Sequence, residues 1–518
     1  MSTRGAALRN TLFSSVGIYT EYFLGMLTSI VIARHLGPGD FGAYSLVIWL
    51  VAVGVAATNS GAASAVIKYV AELRGAARLD LVRPLLAWLR RAQLAFLAVV
   101  MVAGAILFVR YGDRVMPDFD HGVLLAILVA TTWLRSSYMF NISVAKGFED
   151  FRATAVVAAT VAPLNLALVV AAWWLGGPME WFLAVFTLSS LAFWWASRRQ
   201  VQRLLPPPQA QPPALDDDLR ARMRSYIALV AVSVTVGFVT ASEVEVLFLT
   251  LYDSAASAGQ FKVAFQLATG AALLVPGVFG ALLLPMMANA LSQGRELAGR
   301  RLSASTSYLA LLAAPVVAFG MVMSPAIIGL LYGRPYAPAA PVFAACLLAV
   351  SVSTLSQGAS SYLLGADRQR SLMNVILAGA VLKVGLDVVL ISRYGLAGAT
   401  VAFALTTIVV ALALIVLALS ASGARLDLAR LGRIVLAGAL AALVAWPLAR
   451  HLSPLPALLL GGPLVALVYA GATLLLRCWT AADIAWMGQM HQRLAGGRPR
   501  ALGRLLARAG RHDRNVPP

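Results

Sequence analysis

Charged side chains lie inside long apolar stretches of this sequence, where they are energetically costly. A charge at the centre of a bilayer costs about 2.5–3.5 kcal/mol on insertion scales, so each needs a partner or a water-filled cavity. The basic members are Arg90, Arg91, Arg135, Lys262 and Lys383, and the acidic members are Glu21, Glu243, Glu245 and Asp387. Side chains of these types indicate either a cavity for an ion or charged molecule, or structural ion pairs between helices.

The spacing of four of these residues makes the alternatives more specific. Glu21 shares a helix face with small and polar residues, which suits a polar cavity or a tight helix contact. Arg135 has hydroxyl-bearing residues at three- and four-residue spacing. Lys383 and Asp387 are four residues apart, so they are expected to be able to pair on one helix face.

The composition is that of a membrane-embedded chain. Of the 518 residues, 60% are hydrophobic and 12% are charged, with a mean hydropathy of +0.81, whereas a soluble domain is about 45–50% apolar and ~25% charged. The net charge of +19 comes from short basic clusters between apolar runs, so we interpret these clusters as topology signals and not as a nucleic-acid surface. Cys346 and Cys478 are expected on opposite membrane sides, so we predict no disulfide, no metal cluster and no cofactor.

Fourteen apolar segments reach the ~20 residues that a spanning helix needs. They extend over 11–33, 43–67, 86–109, 121–144, 153–175, 179–197, 226–251, 261–289, 303–331, 340–364, 372–392, 397–420, 434–450 and 456–476. Thirty of the 41 Lys and Arg residues lie in connections that are cytoplasmic if the N-terminus is inside, and six lie in the opposite connections. This bias predicts both termini in the cytoplasm.

The longest polar interruption, residues 198–224, carries the run PPPQAQPP and is predicted to be a cytoplasmic Pro-rich linker. It separates an N-terminal lobe of six helices, 1–197, from a C-terminal lobe of six helices, 225–420. Residues 421–476 add two helices, and 477–518 form a basic cytoplasmic tail. We expect the tail to lie on anionic lipid headgroups or in solvent, or else to dock an acidic partner.

The two lobes contain an internal repeat. The stretch from Gly147 can be aligned with the stretch from Gly365 at an offset of 218 residues, and an offset of 217 matches Gly42 with Gly259. A unit of six helices recurs in the same orientation, which predicts pseudo-symmetry about an axis along the membrane normal. Transporters with such parallel repeats place the substrate between the lobes.

Several segments carry a family resemblance. The segment IVIARHLGPGDFGAYSLVIWL resembles the first loop and second helix of polysaccharide-biosynthesis flippases in the multidrug, oligosaccharidyl-lipid and polysaccharide exporter superfamily. KGFEDFR, EVEVLFLTLYDSAASAGQFKVAFQLA, LLYGRPYAPAAPVF and SRYGLAGATVAFAL follow in the matching order. Together they cover roughly the first 420 residues, without the tail.

The resemblance implies a V-shaped, two-lobed, all-α transporter that alternates between inward- and outward-open states. It implies an undecaprenyl-pyrophosphate-linked oligosaccharide as the substrate, moved across the bacterial inner membrane for lipopolysaccharide or exopolysaccharide synthesis. Fixed cations would offset the desolvation of the pyrophosphate. The candidates are Arg135, Lys262 and Lys383 in the cavity, with Arg90 and Arg91 near its cytoplasmic mouth.

Buried carboxylates are the candidates for coupling transport to protons or sodium. Glu21 and Asp387 are two of them. The acidic position that is commonly an Asp in span seven of the family is Glu245 here, which makes it the third. Glu243 lies two residues away and, on a continuous helix, would point about 200° from Glu245, so only one of them is expected to face a given cavity.

Three alternatives remain open beside this flippase. A cation-coupled multidrug exporter of the same superfamily would show an acidic, aromatic-lined cavity, against which the buried cations argue. A membrane glycosyltransferase or polymerase would need a large polar loop, yet no predicted outside connection exceeds about a dozen residues, so we expect no enzyme. A scaffold of a polysaccharide-assembly complex leaves the buried charges unexplained. A polysaccharide polymerase is an expected partner, together with membrane lipids.

Overall fold

The computed structural model describes the backbone of residues 3–116, 119–208, 213–241, 243–273, 275, 277–480, 483–485 and 489. The side chain of Glu21 lies outside this description, as does the tail from residue 490 onward, including its predicted basic helix. The predictions on Glu21 and on most of the tail therefore concern parts of the chain beyond the described residues.

The described residues form α-helices, and no β-strand occurs among them, which confirms the all-α fold class. The helices are α1 Thr3–Gly75, α2 Val82–Val115, α3 His121–Gly147, α4 Phe151–Trp174, α5 Met179–Leu204, α6 Asp217–Ala241, α7 Glu245–Tyr252, α8 Ala255–Leu273, α9 Gly277–Gln293, α10 Arg295–Leu331, α11 Ala339–Leu355, α12 Gln357–Gly365, α13 Gln369–Leu386, α14 Ser392–Ser422, α15 Leu428–His451 and α16 Pro454–Leu475. Short 3₁₀ turns precede α2 and α11, and the π-helical turn Asp387–Ile391 joins α13 to α14.

Ten helical stretches in the described residues are long and apolar enough to cross a membrane, so the count of fourteen is not confirmed. Part of the difference arises because spans that were predicted as separate belong to one long helical stretch. The predicted first two spans belong to α1, which is interrupted by the non-helical Gly37, and the predicted spans eleven and twelve lie in one stretch, Gln369–Ser422. The predicted spans seven and eight are instead divided among the shorter helices α6 to α9.

The chain divides into two compact units, residues 1–262 with 376–402, and residues 263–375 with 403–518. In the first unit, α1 packs against α3, α4 and α6, and α5 packs against α3 and α4. Its core includes the fully buried Val66, Val82 and Leu85 from α1 and α2. Burying such aliphatic side chains against neighbouring helices positions the polar residues of the same helices.

Within the first unit, α1 and the start of α8 cross at two glycines. A Cβ at Gly42 would overlap the carbonyl oxygen of Ala255, and a Cβ at Gly259 would overlap the carbonyl oxygen of Pro38. These contacts are reciprocal, because Gly259 and Ala255 each lie 217 residues after Gly42 and Pro38. Reciprocal contacts mark a local two-fold axis, so the sequence repeat has a structural counterpart at this crossing.

The repeat is also visible in two helix ends. Helices α3 and α12 stop at Gly147 and Gly365, and Glu149 and Asp367, 218 residues apart, adopt left-handed φ values of 59° and 57°. In both turns the next amide donates to the carbonyl five residues earlier at 2.9 Å. This is the Schellman ending of a helix. The same motif recurs at matched positions although the two turns share little sequence.

In the second unit, α10 packs against α9, α11, α15 and α16. The interface of α10 with the last two helices uses small residues, since Gly461 contacts Met323 and the position of Gly438 faces Ala314. Ala437, Ala441 and Ala445 on α15 are completely buried. Small residues let helix backbones approach closely. Such close packing stabilises helix association in lipid, where the hydrophobic effect does not drive it.

Candidate functional site

The chain leaves helical geometry between α6 and α7, in front of Glu245. Helix α6 ends at Ala241, Glu243 is non-helical, and α7 begins at Glu245. Glu243 and Glu245 therefore do not lie on one continuous helix, and the separation of about 200° expected for such a helix does not hold. Each carboxylate pairs with a lysine from another segment of the first unit, and the charges of the two carboxylates act on each other.

Lys383 and Glu245 form the more deeply buried of these pairs. The Nζ of Lys383, on α13, lies 3.0 Å from Oε1 of Glu245, on α7, with side-chain exposures of 1% and 0%. The sequence spacing favoured a pair between Lys383 and Asp387 instead. The structure corrects this, because the ion pair forms across two helices and not along one.

Lys262 and Glu243 form the second pair, between the start of α8 and the non-helical segment before α7. Both side chains are about one-fifth exposed, at 18% each. The charge of Lys383 also acts on Glu243. The two lysines predicted as cavity cations therefore lie in one group with Glu243 and Glu245.

Asp387 opens the π-helical turn between α13 and α14 and is fully buried. Neither of its carboxylate oxygens has a hydrogen-bond partner among the residues that the structure describes. The charges of Glu245 and Lys383 both act on it. Such π-helical turns inside α-helices occur frequently at functional sites, and this one places a carboxylate beside an ion pair.

The backbone around Asp387 is held by close contacts. Gly398 packs against the carbonyl of Leu390, and Gly395 has a φ of 52°, a conformation that favours glycine. The carboxylate of Asp253 accepts a hydrogen bond from the amide of Leu396 at 3.0 Å. These contacts hold the end of the π-helical turn and the segment that follows it.

The charge balance of this group is uneven. It contains three acidic side chains, Glu243, Glu245 and Asp387, and two lysines, Lys262 and Lys383. With all of them ionised, one negative charge is uncompensated within the group. A buried, unpaired carboxylate is strongly unfavourable, so the group can hold one proton or one monovalent cation.

A second polar group lies on α1, α2 and α3 and contains Arg90. Its guanidinium donates to Oε1 of Gln93 at 2.8 Å and to Oγ of Ser137 at 2.7 Å. The amide of Gln93 donates to Oδ1 of Asn59 at 2.7 Å and to the carbonyl of Ser136 at 3.0 Å. Gln93 and Asn59 were not among the predicted site residues, although polar residues inside an apolar run were the signal that could have revealed them.

Arg90 has a cationic neighbour in this group. The charge of Arg198, on α5, acts on Arg90. No carboxylate pairs with Arg90 in the part of the chain that the structure describes. The described hydrogen-bond partners of Arg90 are thus neutral acceptors.

Arg135 lies on α3 and is half-buried. Its Nε donates to Oγ of Ser190 at 2.8 Å, and its guanidinium lies 4.7 Å and 5.0 Å from the ring centroids of Phe186 and Phe193. Arg91, by contrast, is exposed. The predicted basic residues thus separate into the lysines of the carboxylate group, the arginines on α2 and α3, and an exposed Arg91.

Comparison with known proteins gives matches in both sequence and structure. Residues 7–291 match the model of a family described as polysaccharide biosynthesis protein. The fold is similar to that of the lipid II flippase MurJ in an inward closed conformation, with a TM-score of 0.72, 12% identity, and coverage of 90% of this chain and 98% of that one.

Two further solved structures share the fold. An inward-facing multidrug resistance MATE family transporter of the MOP superfamily has a TM-score of 0.63 and 13% identity, covering 79% of this chain and 98% of the other. A MOP superfamily transporter from Pyrococcus furiosus, described as having a binding pocket of reverse polarity, has a TM-score of 0.54 and 13% identity, covering 81% and 95%. A comparison with curated protein sequences finds no significant match.

Proposed function

This chain belongs to the polysaccharide biosynthesis protein family, and from that premise we propose that it is a lipid-linked oligosaccharide flippase. The substrate is an undecaprenyl-pyrophosphate-linked oligosaccharide, moved from the cytoplasmic to the periplasmic leaflet of the bacterial inner membrane. Both termini are cytoplasmic, in keeping with the distribution of basic residues. The product is a substrate for a polysaccharide polymerase that builds surface polysaccharide or exopolysaccharide.

The observation that carries the proposal is the guanidinium of Arg90, which donates to Gln93 and Ser137 and pairs with no carboxylate among the described residues. A guanidinium whose described hydrogen-bond partners are neutral suits an anionic ligand. Pyrophosphate is such a ligand, and guanidinium groups bind phosphate oxygens in a bidentate manner. Arg135, whose aromatic neighbours hold its guanidinium, is a further contact for the same anionic group.

Ion coupling is assigned to the carboxylate group of the first unit. Because that group has one more carboxylate than lysines, binding of one proton or one sodium ion neutralises it. Asp387 is the proposed exchange site, since Glu243 and Glu245 each pair with a lysine whereas the Asp387 oxygens accept no hydrogen bond from a described residue. Glu245 influences this site because it pairs with Lys383, and the charges of both residues act on Asp387. Glu21 stays a third candidate for ion coupling.

Complementation tests the proposal directly. A strain that lacks its own oligosaccharide flippase receives the wild type, Arg90→Ala, Arg135→Ala, or the control Arg110→Ala, all at matched membrane abundance. Arg110 lies on the same helix as Arg90 and is exposed. We expect the wild type and the control to restore surface glycan, and Arg90→Ala and Arg135→Ala to lower it about tenfold or more. Failure of well-expressed wild type across several glycan backgrounds would overturn the flippase function and favour a drug exporter or a scaffold.

A further inference from the structure

An apolar cavity of about 560 Å³ lies among α1, α2, α3 and α7 in the first unit. Its volume falls within the ~300–1,000 Å³ range of ligand pockets. The lining is almost entirely hydrocarbon and includes Leu50, Met101, Phe108, Leu128 and Leu251. Such a lining excludes a sugar or a free phosphate as the occupant, because their polar groups would lose hydrogen bonds to water without replacement.

Helix α2 leaves this cavity open. The position of Gly104, which lines the cavity, has no heavy atom within 4 Å of an added Cβ. Across the cavity, by contrast, a Cβ at Gly54 would lie 2.9 Å from the methyl carbon of Thr132. The close contact between α1 and α3 therefore closes the cavity at one end, while the face of α2 is free to accommodate a chain.

The polar group around Arg90 begins where the cavity ends. On α1 the lining stops at Gly54, and Thr58 follows one turn later, about 6 Å along the axis. On α3 the lining stops at Thr132, and Ser136, which is 2.8 Å from the Thr58 hydroxyl, follows after one turn.

The same order holds on α2, where the chain direction is reversed. The lining begins at Val100, and Gln93 and Arg90 of the polar group lie two to three turns before it. On all three helices, buried polar residues of one hydrogen-bonded group thus lie beyond the same end of the apolar lining. The arrangement matches an amphipathic molecule with an anionic head and a hydrocarbon chain.

We propose that this cavity binds part of the polyisoprenoid chain of the transported lipid while the anionic linkage contacts the polar group that contains Arg90. This inference rests on the proposed function, because it takes the substrate class from there. The transported lipid is favoured over a bulk phospholipid because the described hydrogen-bond partners of Arg90 are neutral, and a pyrophosphate offers its guanidinium more anionic oxygens than a single phosphodiester does.

Narrowing the cavity tests the proposal. Gly104→Leu fills the open space without a backbone clash, and Ala103→Leu, on the neighbouring exposed position, is the matched control. Binding to the purified full-length protein is measured with two probes, undecaprenyl pyrophosphate and inorganic pyrophosphate. We expect Gly104→Leu to weaken undecaprenyl pyrophosphate about tenfold and to leave inorganic pyrophosphate unchanged, while the control changes neither. Arg90→Ala is expected to weaken both probes.

Three results would overturn the proposal: unchanged affinity of Gly104→Leu for the long-chain probe, equal weakening of both probes, or equal competition by phosphatidylglycerol. If Gly104→Leu does not fold, as judged by its unfolding temperature, Ala105→Leu provides a second filling variant in the same lining. Glycan complementation separates this inference from the flippase function. A Gly104→Leu protein that binds both probes and complements like wild type refutes the cavity assignment alone. If Gly104→Leu weakens only undecaprenyl pyrophosphate but the wild type does not complement, the flippase function alone is refuted.

Discussion

The ammonium of Lys383 lies 3.0 Å from the carboxylate of Glu245, and both side chains are shielded from solvent. Removing one partner leaves the other charge buried and uncompensated, which typically costs about 3–5 kcal/mol. We therefore expect Lys383→Met and Glu245→Leu each to lower the unfolding temperature clearly. The double variant Lys383→Met with Glu245→Leu is expected to recover most of the loss, because it removes both charges.

A double-mutant cycle of unfolding in detergent measures this coupling. Additive losses from the two single variants would show that the pair contributes nothing as a pair. Transport by the double variant then separates stability from function. A stable double variant without transport assigns a functional role to the pair beyond holding α7 and α13 together.

Asp387 is expected to matter for coupling more than for folding. Asp387→Asn keeps the shape of the side chain and, since the carboxylate accepts no hydrogen bond from a described residue, removes no described contact. We expect near-wild-type unfolding temperature and a loss of dependence of transport on the ion gradient. Flux measured in vesicles with and without an imposed proton or sodium gradient provides the readout. A gradient dependence equal to that of wild type would exclude Asp387 as the exchange site.

The crossing of α1 with α8 is expected to tolerate no side chain. A Cβ at Gly42 overlaps the Ala255 carbonyl, so Gly42→Ala is expected to cost about 1–3 kcal/mol or to force the two segments apart. Gly25→Ala is the matched control on the same helix, because nothing lies within 4 Å of its added Cβ. Thermal unfolding compares the two, and equal behaviour would contradict the close crossing.

The segment after α16 is expected to loosen in acid. Partial burial raises the pKa of Asp483, but hydrogen bonds from Thr480 and Tyr308 and the charge of Arg430 outweigh it and hold that pKa below its ordinary value. A depressed folded-state pKa gives stability that is fully present above the unfolded value of about 3.9 and is lost as the pH falls through the folded value. The contact of this segment with α10 is therefore expected to weaken below about pH 4.

Hydrogen exchange of residues 478–485 across this pH range measures the effect. The Tyr308 hydroxyl donates to Asp483 at 2.8 Å, so Tyr308→Phe is expected to move the transition to higher pH. Asp483→Asn is expected to abolish the pH dependence. A transition that persists in Asp483→Asn would show that another group causes it.

The sequence alone determined that this is an all-α membrane protein with an internal repeat. Long apolar runs admit one backbone solution in lipid, the helix, so composition and run length suffice for the fold class. The repeat could be recognised in the sequence because two backbones that touch require glycine, here Gly42 and Gly259. The charged site residues could be recognised because a charge within an apolar run is costly and requires a partner or a water-filled cavity.

Only the tertiary structure decided which of these charges meet. Spacing along one helix favoured Lys383 with Asp387, whereas packing brought Lys383 to Glu245 on another helix. The helix break before α7 placed Glu243 and Glu245 in one charged group, and no periodicity rule reveals such a break. The hydrogen bond from Arg90 to Ser137, on another helix, likewise depends on a contact between distant segments. The lobe boundaries, the Pro-rich linker and the tail stay predictions, because they rest on composition and not on a packed contact.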